Sequence, residues 1–306
     1  MGLVTAKEVA KAIHVEKYGV FGTFIGWILM RVTKVSGINT FYEKHKHLEG
    51  VAFLDAILEY YKINFEIPEE DFRRLPKNGA YITISNHPLG GVDGILLLKL
   101  MLGHRPDFKI MANFLLHRIA PMAPYMMPVN PFENHKNVKS SVGTFRNALY
   151  HLRDGHPLGL FPAGEVSTYK DGKLIVDRPW EEAALKLIRK AEVPVVPIYF
   201  HAKNSHLFYR LSKINEIFRT AKLPSEVTSQ KNRPIKVRIG QPISVQTQKD
   251  QATLEEFSDL LRRKTYILAN AYEKGRLIDK VPSSLKLPKA PKRIASAIST
   301  KVIQGE

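Results

Sequence analysis

The 306-residue chain contains no cysteine. Disulfides, thiolate metal sites, redox dithiols and a cysteine nucleophile are therefore excluded, and any chemistry must use His, Asp, Glu, Ser, Lys or backbone groups. Acid is scarce too: 29 Asp and Glu stand against 46 Lys and Arg, a net charge of +17. That excess favours polyanionic partners, whether nucleic acid, an anionic membrane surface or an acidic carrier protein. No Rossmann glycine fingerprint and no P-loop occur. Zinc-ligand spacing, an RNA-recognition block and aromatic-basic interleaving are also missing, which argues against nucleic acid. His45-Lys46-His47 lacks a metal-ligand context, so no metal is expected.

The N-terminus carries no secretory signal pattern, because Glu8 and Glu16 interrupt it and no cleavage site follows Met30. The uncharged stretch from Tyr18 to Met30 is too short to span a bilayer, which takes about 20 apolar residues. Bounded by Lys17, Arg31 and Lys34 and carrying Trp27, it suits either a membrane interface or a buried packing helix.

With 44% hydrophobic and 25% charged residues, the chain is an ordinary folded protein. Helical apolar spacing runs through 41–63, 93–103, 138–153, 180–191 and 206–221. Thr253 and Glu256 form a capping box that opens a helix expected to run to about Lys274. Between these lie β-prone runs at 80–86, 108–112, 125–130, 157–162, 193–200 and 235–240. The alternation predicts an α/β fold: a mixed, largely parallel central sheet flanked by helices on both faces. Pro194 and Pro197 remove ladder donors from 193–200, so that strand is expected at a sheet edge or an irregularity. Three segments are expected: N-terminal amphipathic helices over 1–50 that associate with membrane or pack, one domain over 51–275, and a basic tail over 276–306.

Chemistry concentrates in SNHPLGGVDG at 85–94, where a buried strand gives way to a helix, the place α/β folds present ligands. Asn86 and His87 follow the strand. Gly90 and Gly91 allow a stiff turn with close backbone approach, and Asp93 could return to the imidazole to fix its tautomer and raise its basicity. A base held this way can deprotonate a hydroxyl without a nucleophilic residue. Asp93 would equally serve as a plain helix N-cap. A second block, LGLFPAGEVST at 158–168, ends a strand with Phe161, Pro162, Ala163, Gly164 and Glu165. Gly164 could offer N–H groups to an oxyanion or simply make a turn.

Taken in order, Asn86-His87 with Asp93, Phe161-Pro162-Ala163-Gly164 and Val193-Pro194-Val195-Val196-Pro197-Ile198 resemble the glycerolipid (1-acylglycerol-3-phosphate type) acyltransferase superfamily. Five residues separate His87 from Asp93, where the common pattern has four. NHPLGGVDG with FPAGEVS is similar to the hemolysin-like branch, which includes acyltransferases that complete ornithine and glycine lipids. The resemblance implies a glycerol-3-phosphate acyltransferase-like fold preceded by N-terminal helices. It also implies transfer of a fatty acyl group from an acyl carrier protein or coenzyme A thioester to a lysolipid hydroxyl. His87 would be general base and Asp93 its partner, with no acyl-enzyme. Asn86, Gly90, Gly91, Phe161, Pro162, Ala163, Gly164 and Glu165 would line the substrate site. No cofactor beyond the thioester co-substrate is implied, and the expected place is the cytoplasmic face of the inner membrane, peripherally bound.

Phosphatidate-forming members hold the acceptor phosphate with arginines that this chain lacks: Pro128-Val129-Asn130-Pro131 and Val166 stand there instead. A phosphate wants arginine forks or clustered N–H donors. The expected acceptor is therefore a lyso-aminolipid, acylated on its 3-hydroxyacyl hydroxyl. A lysophosphatidate acyltransferase that replaces the arginines with Arg118, Lys136, Lys139 or Arg146 is the alternative. A non-catalytic basic membrane-surface or nucleic-acid-binding protein is the alternative of another class.

Overall fold

The computed structural model describes residues 2–129, 138–170, 174–214, 216–231, 234–269, 272–273 and 276–277. The expected basic tail thus falls almost wholly outside the described residues, as do Asn130 and Pro131.

The chain opens with α1 (Ala6–Ala12), α2 (Gly19–Val32), α3 (Val35–His45) and α4 (Gly50–Tyr61). The single helix expected over 41–63 is two, because Gly50 takes φ +49° and breaks the ladder between α3 and α4. Next come β1 (Phe65–Glu66), the short α5 (Glu69–Phe72), β2 (Ile82–Ser85), α6 (Gly91–His104), β3 (Lys109–Asn113) and β4 (Met126–Val129). Then follow α7 (Val138–Arg153), β5 (Leu158–Leu160), the hairpin β6 (Thr168–Lys170) and β7 (Leu174–Val176), α8 (Glu182–Ala191) and β8 (Val195–His201). The helix expected over 206–221 is split into α9 (His206–Ile214) and α10 (Glu216–Glu226). Then come β9 (Ile235–Ile239), α11 (Val245–Lys249) and α12 (Leu254–Tyr266), followed by the antiparallel two-residue strands β10 (Tyr272–Glu273) and β11 (Arg276–Leu277). Thr253 and Glu256 cap α12 reciprocally as expected, but that helix ends at Tyr266 and tightens into a 3₁₀ turn at Ile267–Ala269, well short of Lys274.

The main sheet has strand order β1-β9-β8-β2-β5-β3-β4, and every neighbouring pair is parallel except β8 with β9. This is the mixed, largely parallel sheet expected. Helices α4 and α6 bury Leu54, Ile57, Leu96 and Leu97 with Val196, Ile198 and Phe200 on one face. Helices α7, α8 and α12 bury Leu152, Ile188 and Phe257 with Ile82 and Ile84 on the other. Burying each such side chain contributes about 1.5–3 kcal/mol, so the two apolar layers fix the sheet.

One expectation is corrected. Strand β8 is not at an edge but central, between β2 and β9. Its prolines are tolerated because Pro194 precedes the strand, and because the pairing with β9 slips by one residue beside Pro197. Ile198 faces Ile239, whereas Val195 faces Ile243. The irregularity is real; the edge is not.

At the N-terminus, Gly26 lies against Ala6 O of α1 and Gly22 against Val15 O of the link that follows, both too close to leave room for a Cβ. The small face of α2 therefore packs, while Val20, Phe21, Phe24, Trp27, Ile28 and Val32 on the rest of its surface are exposed. The guanidinium of Arg31 lies over Trp27, 5.2 Å from the ring centroid. Among the described residues, no helix is long and apolar enough to cross a membrane.

Candidate active site

Strand β2 ends at Ser85, and the chain turns through residues 86–90 into α6. Gly90 is the helix N-cap, at φ +79°, and a Cβ there would meet Val166 Cγ2 at 3.0 Å and Leu223 Cδ2 at 3.1 Å. Only glycine fits that combination of backbone and space. Gly91 differs: a Cβ would meet nothing, so the expected close approach belongs to Gly90 alone.

Asp93 is fully buried and lies in the first turn of α6, not at the N-cap. Its Oδ2 accepts from Leu89 N–H at 2.9 Å, and its Oδ1 accepts from Gly94 N–H at 3.0 Å. The same Oδ1 lies 3.1 Å from His87 Nδ1. Nδ1 faces Oδ1 without the alignment of a straight hydrogen bond, so the contact is chiefly electrostatic. The N-cap reading of Asp93 is corrected, because Gly90 holds that place; the carboxylate ties Leu89 and Gly94 N–H from inside the first turn and faces the histidine.

Burial alone would push the His87 imidazole down. The Asp93 charge and contact, with a smaller contribution from Asp177, outweigh it and leave the group above the ordinary histidine value. The ring packs against Phe161 at a tilt of 30°, centroids 4.1 Å apart, and its side chain keeps 17% exposure. With Nδ1 turned to Asp93, Nε2 is the nitrogen left for a substrate proton.

A second buried carboxylate, Asp177 just after β7, holds the backbone of this turn. Its Oδ1 accepts from His87 N–H at 3.1 Å and from Ser167 Oγ–H at 2.6 Å. Ser167 N–H returns a bond to His87 C=O at 2.8 Å. Tyr266 of α12 accepts from Asp177 N–H at 3.0 Å. Burial pushes the Asp177 carboxyl up, against the opposing pull of Ser167 and the His87 N–H. Asn204 donates through Nδ2 to Pro88 C=O at 3.1 Å, fixing the turn from the β8 side.

The remaining expected site residues divide. Phe161 reaches the histidine and Glu165 is half-buried beside it in sequence. Asn86 is buried, and its amide exchanges two hydrogen bonds with the Phe200 backbone, at 3.1 and 2.8 Å, so it ties β2 to β8. Pro162 C=O accepts from Glu181 N–H, and Ala163 is core. Gly164 N–H donates to Phe161 C=O at 3.0 Å, so that group closes a turn and does not point at a substrate oxyanion. Asp177 and Asn204 were not legible as site residues, each being a lone polar residue outside the blocks; Ser167 lies inside the second block but carries no pattern that singles it out. Among the described residues, no cluster of His, Asp and Glu could hold a metal ion.

Of the cations expected to replace the missing arginines, Arg118 pairs with Glu8 at 2.9 Å near the N-terminus and Arg146 is exposed on α7. Lys136 lies outside the described residues, and Val166 is buried. Two other arginines reach the second block. Arg219 Nη2 lies 2.7 Å from Glu165 Oε2, and Arg178 Nη1 lies 3.0 Å from Glu165 Oε1.

Comparison with known proteins bears on this arrangement. A lyso-glycine lipid O-acyltransferase of Bacteroides thetaiotaomicron is 27% identical over 274 residues, covering 87% of this chain and 97% of its own. A lyso-glycine lipid O-acyltransferase of Phocaeicola vulgatus is likewise 27% identical, covering 87% of this chain and 95% of its own. The crystal structure of the 1-acyl-sn-glycerophosphate acyltransferase PlsC from Thermotoga maritima overlays with a TM-score of 0.44 at 17% identity, over 85% of this chain and 92% of its own. The acyltransferase family model matches residues 8–275, which takes in the main sheet and all three motif blocks, the His87–Asp93 turn among them. The order of blocks read from the sequence and this near-complete match agree, and the chain belongs to the acyltransferase family.

Proposed function

We propose that this acyltransferase moves a fatty acyl group from an acyl thioester, carried by acyl carrier protein or coenzyme A, to the 3-hydroxyacyl hydroxyl of a lyso-aminolipid, a lyso-glycine or lyso-ornithine lipid. The observation that carries the chemistry is His87 Nδ1 at 3.1 Å from the buried Asp93 carboxylate. The acceptor class is supported by two relatives named for lyso-glycine lipid that align over nearly their whole length. It is also supported by the absence of arginine at Val166.

In this reading His87 Nε2 takes the proton from the acceptor hydroxyl as its oxygen attacks the thioester carbonyl carbon. A C–O bond forms and a tetrahedral adduct results; the C–S bond then breaks and the leaving thiolate takes the proton back from His87. Asp93 holds the imidazole and stabilises its cationic form. No acyl-enzyme is needed, and the absence of cysteine is compatible with that.

The enzyme works at a membrane surface, peripherally on the cytoplasmic face of the inner membrane. The exposed aromatic face of α2, with Lys17 and Arg31 beside it, suits an anionic lipid interface.

The test is acyl transfer by purified protein from labelled acyl-carrier thioester. Lyso-glycine lipid, lyso-ornithine lipid and lysophosphatidate are offered in parallel, with His87→Ala as control. Aminolipid product that disappears in the variant is expected. Robust turnover of lysophosphatidate with none of either aminolipid would overturn the acceptor assignment.

A further inference from the structure

We propose that Arg219, braced by Glu165, receives the carboxylate headgroup of the acceptor lipid, an inference that rests on the aminolipid reading above. Arg219 belongs to α10, outside every motif block, yet it is only 7% exposed. One helical turn further on, Leu223 lies against the Gly90 turn between His87 and Asp93. Glu165 approaches from the other side, next to Val166, which touches the same turn. Two independent elements thus deliver an arginine and its brace to the edge of the candidate active site.

The geometry of the brace is the second observation. A matched arginine and carboxylate pair forms a fork, with two parallel N–H···O bonds. Glu165 instead divides its oxygens, Oε1 to Arg178 and Oε2 to Arg219. Among the described residues, Glu165 is the side-chain partner of Arg219, and it engages one nitrogen, Nη2. A guanidinium carries five N–H donors in a fixed plane. Glu165 therefore orients Arg219 without saturating it, and a second planar two-oxygen anion can complete the fork. An N-acylated amino acid presents that group only a few bonds from the 3-hydroxyl that His87 must reach. This supplies a cation where the motif blocks have none.

The experiment compares N-(3-hydroxyacyl)glycine with its uncharged glycinamide as acceptors for the purified full chain. Wild type should favour the acid. In Arg219→Gln the acid-over-amide ratio of kcat/KM should fall by about 10- to 100-fold, the loss appearing mainly in KM, as expected for one hydrogen-bonded charge contact. Arg219→Lys, which keeps charge but loses the fork, should recover part of the ratio. A wild-type enzyme indifferent to the headgroup charge overturns the proposal, even if Arg219→Gln fails to fold. So does an Arg219→Gln enzyme that loses activity equally on both acceptors. Lack of turnover of any aminolipid, with turnover of lysophosphatidate, overturns the acceptor reading itself and this inference with it.

Discussion

Asp93 divides its carboxylate between two tasks: Oδ2 accepts from the Leu89 backbone at 2.9 Å, while Oδ1 stands 3.1 Å from His87 Nδ1. The first bond shapes the turn, and the second contact prepares the imidazole. Substituting either residue should therefore separate chemistry from stability. His87→Ala is expected to lower kcat by about 10²- to 10⁴-fold, the range for loss of a positioned base, with a near-unchanged melting temperature. Asp93→Ala should lower both, because Leu89 N–H loses its acceptor in a buried site at about 1–3 kcal/mol. Steady-state kinetics beside thermal melts would expose a purely structural role for the pair, as equal losses in both variants.

The pH dependence follows from the raised His87 value. A base acts when deprotonated, so kcat/KM should rise with pH through an acidic limb above about 6.5, the ordinary imidazole value. Asp93→Asn should move that limb to lower pH, since the Asp93 charge is the main raising influence. For stability the sign is opposite: protonation of His87 favours the folded form. That contribution is complete below the ordinary value and is lost as pH rises through the raised one. A limb that stays put in Asp93→Asn would mean the two groups are not coupled.

Asp177 holds His87 by its backbone and not by its ring. Asp177→Asn keeps an acceptor oxygen for His87 N–H and Ser167 Oγ–H but removes a charge, so a modest fall in kcat with a downward move of the acidic limb is expected. Asp177→Ala should cost about 1–3 kcal/mol for each donor left buried, read by denaturant unfolding. An alanine variant as stable as wild type would show that the loop and the turn do not depend on this link.

Gly90→Ala combines a left-handed backbone with a Cβ at 3.0 Å from Val166 Cγ2. A destabilisation of about 1–3 kcal/mol is expected, together with lost activity because the strain falls between His87 and Asp93. Gly91→Ala, where a Cβ meets nothing, is the matched comparison and should melt like wild type. Equal melting of the two variants would contradict this account of the turn.

The exposed face of α2 predicts lipid binding that depends on both aromatics and charge. Phe24→Ser with Trp27→Ser should weaken sedimentation with vesicles containing anionic lipid, and rising salt should weaken wild-type binding and low-substrate activity together. Unaltered sedimentation of the double variant would remove α2 from the interface.

Local sequence determined the periods and the punctuation. β-prone runs of five to eight residues marked the main-sheet strands from β2 to β9, most plainly at β2 and β5, which are buried on both faces. The glycine-rich turn placed His87 and Asp93 together, because only five residues separate them and a turn of that length has few shapes. Tertiary structure decided what lies across the chain. Asp177 meets His87 over 90 residues, and Arg219 meets Glu165 over 54. No periodicity encodes either meeting, since each depends on which strands become neighbours in the sheet. The same dependence put the proline-bearing β8 in the centre of the sheet. Proline forbids a hydrogen bond at its own nitrogen, and whether a neighbouring strand needs that bond is settled by register.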